Sequence, residues 1–185
     1  HILKQPLVLD AAEKLDIVGY DKERSILRLE PSDKNAEAAV IELRGKCSKV
    51  RIRKLTLDGA GHTSTGIRLG LPDATAVSAT EIEVSDCIVQ NFTRSAVVCL
   101  AVGSSVIERC TFMDIGGTAV LLSAPTRGTD LNHNHIARSQ LAVDLAAAPD
   151  CGVLFNEIRD CHAGVRSKGA SDARLIGNQL LGIKE

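Results

Sequence analysis

Two groups of residues have side chains suited to metal binding or proton transfer. His133 and His135 are spaced like two metal ligands on one face of a strand, and Glu157 lies one repeat further along the chain. Asp58 and His62 lie in a glycine-containing turn, where a carboxylate and an imidazole can share acid–base work. The first group lacks a third strong ligand, and the second is a common turn composition. We therefore assign no catalytic residue, no metal site and no cofactor.

Six cysteines are the other reactive side chains: Cys47, Cys87, Cys99, Cys110, Cys151 and Cys161. No two of them form a CxxC pair, which argues against a zinc site of the usual spacing. Cys161 lies between Asp160 and His162, but this order matches no nucleophile motif. The even number permits disulfides, yet a chain of 185 residues does not need them to fold. We predict buried free thiols, with Cys87 and Cys110 pointing inward.

An internal repeat determines where these side chains point. Four-residue segments, here called lines, begin with a small residue and continue with an apolar pair. Their first residues are 30, 23, 23 and 22 positions apart. They are Gly66-Ile67-Arg68-Leu69, Ala96-Val97-Val98-Cys99, Ala119-Val120-Leu121-Leu122, Ala142-Val143-Asp144-Leu145 and Gly164-Val165-Arg166-Ser167. An earlier copy, Val40-Ile41-Glu42-Leu43, starts 26 residues before Gly66. The lines alternate with period two, as a half-buried β-strand requires.

A second set of lines runs parallel to the first. Its anchors are Leu55, Cys87, Cys110, Asn134, Asn156 and Asn178, and an apolar residue follows two positions after each anchor. Identical amides stacked one coil apart, about 4.8 Å, can hydrogen-bond along the axis and satisfy the turn backbone. The sequence thus predicts an asparagine ladder and two strand segments per coil, joined by polar turns such as Gly116-Gly117-Thr118.

These repeats predict an all-β protein, a right-handed parallel β-helix of about six to seven coils in a single domain. A leucine-rich repeat has a similar period, but its Leu-x-x-Leu-x-Leu pattern and its helical half are missing. Residues 39–185 should form the regular coils. Residues 1–38 should form irregular N-terminal strands of the same β-helix, ending in a polar loop over residues 31–38.

Composition excludes some classes of partner. The chain has 22 Lys and Arg against 23 Asp and Glu, without a basic run or an aromatic platform for nucleic acid. No apolar stretch is long enough to span a membrane, and the first residues lack the layout of a signal peptide. The start at His1 and the strand-like run at residues 180–183 favour a piece of a longer protein.

The chain resembles the pectin-lyase-like superfamily, and specifically its parallel β-helix repeat module. The residues that carry the resemblance are 15–19, 50–59 followed by 66–69, and the column of asparagines and cysteines. The resemblance covers nearly the whole chain and implies a carbohydrate-associated protein outside the cell or in the periplasm. The scaffold also hosts non-catalytic modules, so activity does not follow from it. The catalytic motifs of polygalacturonases and the Asp-Pro-His motif of alginate epimerases are absent, and no calcium site of the pectate lyase kind can be assembled.

The resemblance also implies that a ligand lies along the outward side of the first set of lines. The residues there are Glu42, Arg68, Val98, Leu121, Asp144 and Arg166. Arg68, Asp144, Arg166 and the nearby Lys168 are candidate binding residues for an acidic polysaccharide, since a guanidinium binds carboxylate in a bidentate fork. The alternative is that Glu42 with Arg68, and Asp144 with Arg166, are ion pairs between coils on a solvated sheet.

Two functions follow from these observations. The first is a carbohydrate-associated domain that binds or processes an acidic polysaccharide. The second is a non-catalytic scaffold or interaction module of a larger protein, which contacts a protein partner through an apolar patch of Val98, Leu100 and Leu121. The absence of Trp and the single Tyr, Tyr20, weigh against an enzyme or lectin that stacks sugars on aromatic rings.

Overall fold

A computed structural model describes residues 1–32, 37–71 and 73–185. Part of the loop expected at residues 31–38 lies outside these described residues. The described strands are β1 (Ile2–Leu3), β2 (Leu7–Asp10), β3 (Asp16–Val18), β4 (Ile26–Leu29), β5 (Ala39–Arg44), β6 (Cys47–Ser48), β7 (Arg51–Arg53), β8 (Thr56–Asp58), β9 (Thr65–Leu69), β10 (Ala79–Thr80), β11 (Glu83–Ser85), β12 (Ile88–Gln90), β13 (Ser95–Leu100), β14 (Val102–Glu108), β15 (Thr111–Ser123), β16 (Arg127–Asn132), β17 (His135–Ala146), β18 (Gly152–Leu154), β19 (Glu157–Arg159), β20 (Ala163–Lys168), β21 (Arg174–Ile176) and β22 (Gln179–Leu181). Among the described residues there is no helix, and hence none that could cross a membrane.

Parallel pairing between coils arranges the strands into three faces around a β-solenoid of about seven turns. Face 1 consists of β3, β7, β11, β14, β16, β18 and β21, with β6 and β10 at its margin. Face 2 consists of β1, β4, β8, β12, β19, β22 and the first parts of β15 and β17. Face 3 consists of β2, β5, β9, β13, β20 and the last parts of β15 and β17. Because β15 and β17 run continuously from face 2 to face 3, those two faces form one 13-stranded sheet.

The two predicted inward columns are confirmed. On face 3 the strand register aligns Ile41, Ile67, Val97, Val120, Val143 and Val165 from coil to coil. On face 2 it aligns Leu57, Val89, Phe112, Ile136, Ile158 and Leu180. These side chains are completely buried except in the last coils, where Val165 is half-buried and Leu180 is 49% exposed. Each fully buried aliphatic side chain contributes about 1.5–3 kcal/mol, so the two columns supply much of the driving force for stacking.

The prediction of two strand segments per coil is wrong, because face 1 adds a third. Its inward column consists of Ile52, Val84, Ile107, Leu131 and Val153, all of them buried. Most of these strands have three residues, so each offers a single inward side chain and too little alternation to detect. The predicted turn at Gly116-Gly117-Thr118 lies inside β15, where the ladder with β17 shifts register between Ile115 and Thr118.

Left-handed residues make the corners between faces. At the corner between faces 1 and 2, the positive-φ residues are Lys54, Asp86, Arg109, His133, Phe155 and Gly177, which we call the ladder corner. Except at Gly177 in the last coil, the backbone N–H of each donates to a carbonyl of the next coil, for example His133 to Leu154 at 3.1 Å. The residue that follows each corner position turns inward, and this sequence of turns produces the column of Asn and Cys.

Candidate functional site

The candidate binding residues all lie on the outer surface of face 3, Arg68 towards one end and Asp144, Arg166 and Lys168 towards the other. The register places Glu42, Arg68, Val98, Leu121, Asp144 and Arg166 side by side in successive coils, and we call this set the outward row. Lys168 lies two residues beyond Arg166 on the same strand, beside Ala146 of the preceding coil. Arg68 and Arg166 are four coils apart, which is about 19 Å along the axis.

The N-terminal end of the outward row is an ion cluster around Glu42. The Glu42 side chain points outward, yet it is only 4% exposed because arginine side chains cover it. Its Oε1 accepts a hydrogen bond from Nη1 of Arg68 at 2.9 Å, and its Oε2 accepts one from Nε of Arg44 at 2.9 Å. Two guanidinium groups thus share one carboxylate, which leaves one positive charge in excess.

The C-terminal end has a similar ion pair. Asp144 is 6% exposed and accepts two hydrogen bonds from Arg166, from Nε at 3.1 Å and from Nη2 at 2.5 Å. These hydrogen bonds and the charge of Asp144 raise the pKa of Arg166. The ammonium group of Lys168 has no ion-pair partner within the described part of the chain. This end also carries one positive charge in excess.

An apolar strip separates the two charged ends. Val98 and Leu121 occupy the middle of the outward row, and Leu100 lies beside them at the end of β13. All three side chains are half-buried. The outward row therefore presents fixed cations at its two ends and carbon surface between them.

Asp58 and His62 are not brought together as an acid–base pair. Asp58 is 3% exposed and accepts hydrogen bonds from Arg28, from the backbone N–H of Ala60 and from Nδ2 of Asn91. Burial opposes ionisation of this carboxyl, but the hydrogen bonds from Asn91, Ala60 and Arg28 outweigh it and lower its pKa. His62 instead places Nε2 at 3.2 Å from the carbonyl oxygen of Leu29. Asp58 is thus a fully engaged anion that holds a turn together.

The two histidines of the suggested metal pair have different partners. His135 places Nδ1 at 3.2 Å from Oε2 of Glu157 in the next coil. His133 stacks on the ring of Phe155, with ring centroids 5.4 Å apart and an angle of 23° between the planes. No group of three or more His, Cys, Asp and Glu suited to a metal ion occurs within residues 1–32, 37–71 and 73–185.

All six cysteines are buried and free of disulfides, as predicted. Burial raises the pKa of Cys161, which disfavours the thiolate form that a nucleophilic cysteine needs. Burial likewise raises the pKa of Cys99 and Cys151.

The predicted ladder is confirmed and is part amide, part thiol. Nδ2 of Asn134 donates to the carbonyl of Ile107 at 2.9 Å, and Asn156 makes the same bond to Leu131 at 2.9 Å. In the two earlier coils a thiol takes this place: Sγ of Cys110 lies 3.6 Å from the carbonyl of Val84, and Sγ of Cys87 lies 3.6 Å from that of Ile52. The column is therefore structural along its whole length.

Comparison with known proteins identifies the fold. No protein-family model matches the chain, and the sequence of no curated protein matches it. Three solved structures are similar to it: PfbA, a surface adhesin of Streptococcus pneumoniae (TM-score 0.60, 9% identity, 96% of this chain and 59% of that one); the A-module of the mannuronan C-5 epimerase AlgE6 from Azotobacter vinelandii (0.56, 11%, 97% and 69%); and ORF18 of Geobacillus virus E2 (0.58, 8%, 94% and 51%).

These likenesses extend over nearly all of this chain but over only 51% to 69% of the three solved chains. Identities of 8% to 11% are evidence for a shared fold and not for a shared activity. The parallel register of three faces, the ladder and these likenesses together show that the chain is a right-handed parallel β-helix.

Proposed function

We propose that this chain is a carbohydrate-associated β-helix domain that binds an acidic polysaccharide along face 3. Arg68, Arg166 and Lys168 supply the positive charge, and Asp144 holds Arg166 in position. The observation that carries the proposal is the support of each arginine by a buried carboxylate, Glu42 or Asp144. An arginine already fixed in this way loses little conformational freedom when it binds a ligand.

The chemistry of the outward row suits such a ligand. Nη1 of Arg166 has no partner in the described structure, and the Arg166 side chain is 62% exposed, so a carboxylate of the ligand can reach it. A polymer of sugar acids presents carboxylates at intervals and C–H surfaces between them. The apolar strip of Val98, Leu100 and Leu121 supplies matching carbon surface between the charged ends.

The expected binding is weak and sensitive to salt. The cations are exposed, and charges in water at physiological ionic strength are screened over about 8 Å. We also expect binding without cleavage, because the carboxylates of the outward row, Glu42 and Asp144, are engaged with arginines and are poor general bases. One of the similar structures is a surface adhesin, which supports a binding role on this scaffold.

A binding experiment tests the proposal. Affinity electrophoresis in polygalacturonate, alginate and a neutral glucan should retard the protein only in the two acidic polymers. The Arg166→Gln, Lys168→Gln double variant should bind about tenfold more weakly, since it removes contacts worth about 1.4 kcal/mol. The matched control is Arg138→Gln, which removes an arginine paired with Asp114 across one coil but outside the outward row.

Two results would count against this function. One is equal retardation of the parent and the double variant. The other is cleavage of any of the three polymers, followed by reducing ends and by the absorbance of unsaturated products, that is lost in Asp144→Ala. Cleavage of that kind would mean that Asp144 takes part in chemistry.

The second candidate function is a non-catalytic interaction module, and the apolar strip favours it. A protein partner that covered Val98, Leu100 and Leu121 would bury carbon surface that is now only half-buried. Under this function the protein does not bind acidic polymers, and Leu121→Glu abolishes binding of the protein partner. Binding to polygalacturonate that survives in Leu121→Ala but is lost at high salt would favour the first function.

A further inference from the structure

Phe155 is an unusual residue for its position at the ladder corner. Its φ is 55°, in the left-handed region that bulky side chains disfavour. Nineteen described non-glycine residues have positive φ, and Phe155 is the one large apolar side chain among them; the others are alanines or polar residues. The residue is also 53% exposed to solvent. Neither backbone preference nor burial in the core accounts for a phenylalanine here.

The neighbouring coils are shaped around the ring. His133 stacks against it from the preceding coil, with centroids 5.4 Å apart. In the following coil the corner residue is Gly177, where a Cβ atom would lie 2.4 Å from Cδ1 of Phe155. A side chain at residue 177 would displace the ring, so the glycine keeps Phe155 in place. A hollow of about 410 Å³ adjoins the ring and is lined by His133, Phe155, Asn156, Glu157, Gly177 and Gln179.

The polar groups of the hollow are suited to hydroxyl groups. Gln179 is exposed, and its side-chain amide has no hydrogen-bond partner within the described residues, so it can both donate and accept. Glu157 is half-buried, its charge is compensated by Arg159, and its Oε2 lies 3.2 Å from Nδ1 of His135. The hollow therefore has an aromatic surface and hydrogen-bonding groups but no cation left over to attract an anion.

We propose that this hollow binds one neutral hexose unit of a saccharide, with Phe155 as the stacking platform and Gln179 and Glu157 as hydrogen-bonding groups. The C–H face of a pyranose packs on the exposed part of the phenyl ring, and its hydroxyls face the amide and the carboxylate. The site lies at the corner between faces 1 and 2 and uses none of the residues of the outward row, so it stands or falls separately from binding at face 3.

The experiment uses the whole chain with cellohexaose, mannohexaose and β-1,4-galactohexaose in about 0.5 M salt. At this salt concentration the screening length is on the order of 4 Å, which suppresses ionic binding at face 3. Saturation-transfer NMR on the parent should detect binding of at least one of the three. In ¹⁵N-labelled parent protein, the amides of Gly177 and Gln179 should shift on titration, which tests the site without any substitution.

Phe155→Asn removes the platform while giving the corner a residue that accepts the left-handed conformation. We expect affinity to fall about tenfold, the upper size of one aromatic contact, while the thermal midpoint stays equal or rises. Phe155→Tyr should retain binding. The matched control is Lys54→Asn, at the same corner four coils away, which should bind like the parent.

The outcomes separate cleanly. The proposal is overturned if none of the three hexasaccharides binds, if Phe155→Asn binds as well as the parent, or if the shifted amides lie on face 3. Loss of polygalacturonate binding in the Arg166 and Lys168 variant bears only on the proposed function. If Phe155→Asn should fail to fold, the amide shifts in the parent still decide the question.

Discussion

Asp58 illustrates how one side chain can look catalytic in the sequence and be structural in the fold. Its carboxylate lies next to a glycine-containing turn, as a reactive acid often does. Arg28, Ala60 and Asn91 nevertheless occupy both of its oxygens; Arg28 and Asn91 come from the coils on either side, and Ala60 belongs to the same turn. So many hydrogen-bond donors stabilise the ionised form of the carboxyl group, which makes it a poor proton acceptor near neutral pH.

Asp58→Asn should destabilise the protein in a pH-dependent way. The pKa of Asp58 is lowered in the folded state, so its contribution to stability is present above pH 4 to 5, roughly its unfolded titration range, and is lost as pH falls through the folded pKa. At pH 7 the variant should lose about 1–3 kcal/mol in urea unfolding. The difference from the parent should shrink towards about pH 2. A difference of the same size at both pH values would contradict this account.

The control for Asp58 is Asp16→Asn. Asp16 also pairs with an arginine of the next coil, Arg53 at 2.7 Å, but on a solvated face. Exposed pairs contribute only about 0.2–1 kcal/mol, so this variant should change stability little.

Asn156→Leu should destabilise the fold because the ladder needs both ends of the amide. Nδ2 donates to the carbonyl of Leu131, while Oδ1 accepts from the backbone N–H and from Nδ2 of Asn134. Leucine leaves these buried groups unpaired, and each fully buried group without a partner lowers the free energy of unfolding by about 1–3 kcal/mol. The measurement is thermal unfolding against Gln140→Leu, an exposed position on β17. Equal midpoints for the two variants would show that the ladder does not support stability.

At the scale of elements, close approach between coils limits which residues can follow a strand. Gly70 ends the face 3 segment of its coil with φ of 83°, and a Cβ atom there would lie 1.6 Å from the carbonyl oxygen of Leu100. The obstacle is backbone of the next coil, so neither residue can move aside without separating β9 from β13. The strand spacing at this corner depends on that glycine.

Gly70→Ala should therefore cost much more than its backbone conformation alone. Gly61 is the matched control, because it has φ of 75° and nothing within 4 Å of its added Cβ atom. Gly61→Ala should cost about 1–2 kcal/mol for the left-handed conformation. Gly70→Ala should cost at least about twice as much in chemical denaturation. Similar values for both would mean that the coils can separate at this corner with little loss.

The elements that the sequence predicted are those with enough residues to show a pattern. Faces 2 and 3 repeat an anchor and an alternating segment in every coil, and the inward residues Val97 and Phe112 follow from that spacing. The sequence pattern did not predict face 1 as a third strand segment of each coil, because a strand such as Glu83–Ser85 has one apolar residue between two polar ones. Three residues of that kind do not differ from a turn in composition.

The candidate site was predictable in its pairing and not in its burial. The spacing of 22 residues predicted that Asp144 and Arg166 would be neighbours, and they are. The burial of Asp144 did not follow, because alternation gives the direction of a side chain and not what its neighbours cover. The stack of His133 on Phe155 was missed, although the same spacing that aligns Asn134 with Asn156 aligns these two residues.

At the scale of the molecule, the thiols report on the opening of the whole solenoid. The six cysteines lie in different coils or on different faces, and every one is buried. A thiol reagent reaches a buried cysteine only when the surrounding structure opens, and the high pKa of Cys99 and Cys151 makes these thiols less reactive still.

Under native conditions all six thiols should react slowly, with Cys87 and Cys110 at the rate of unfolding. The measurement is labelling by a coloured disulfide reagent over hours, compared with the same reaction in 6 M guanidinium, where on the order of seconds should suffice. Rapid native labelling of Cys87 or Cys110, or a mapped disulfide between them, would contradict their inward placement in the ladder.

The same six thiols also affect how the newly synthesised chain must fold. A nascent chain exposes them all, and six cysteines can be joined in 15 different ways, of which the native fold uses none. Every disulfide formed before the coils close is therefore an error that must be reduced again. In an oxidising compartment, the yield of folded protein would depend on the rate of coil closure relative to the rate of thiol oxidation. A reductant or a disulfide isomerase would then raise the fraction of chains that fold correctly.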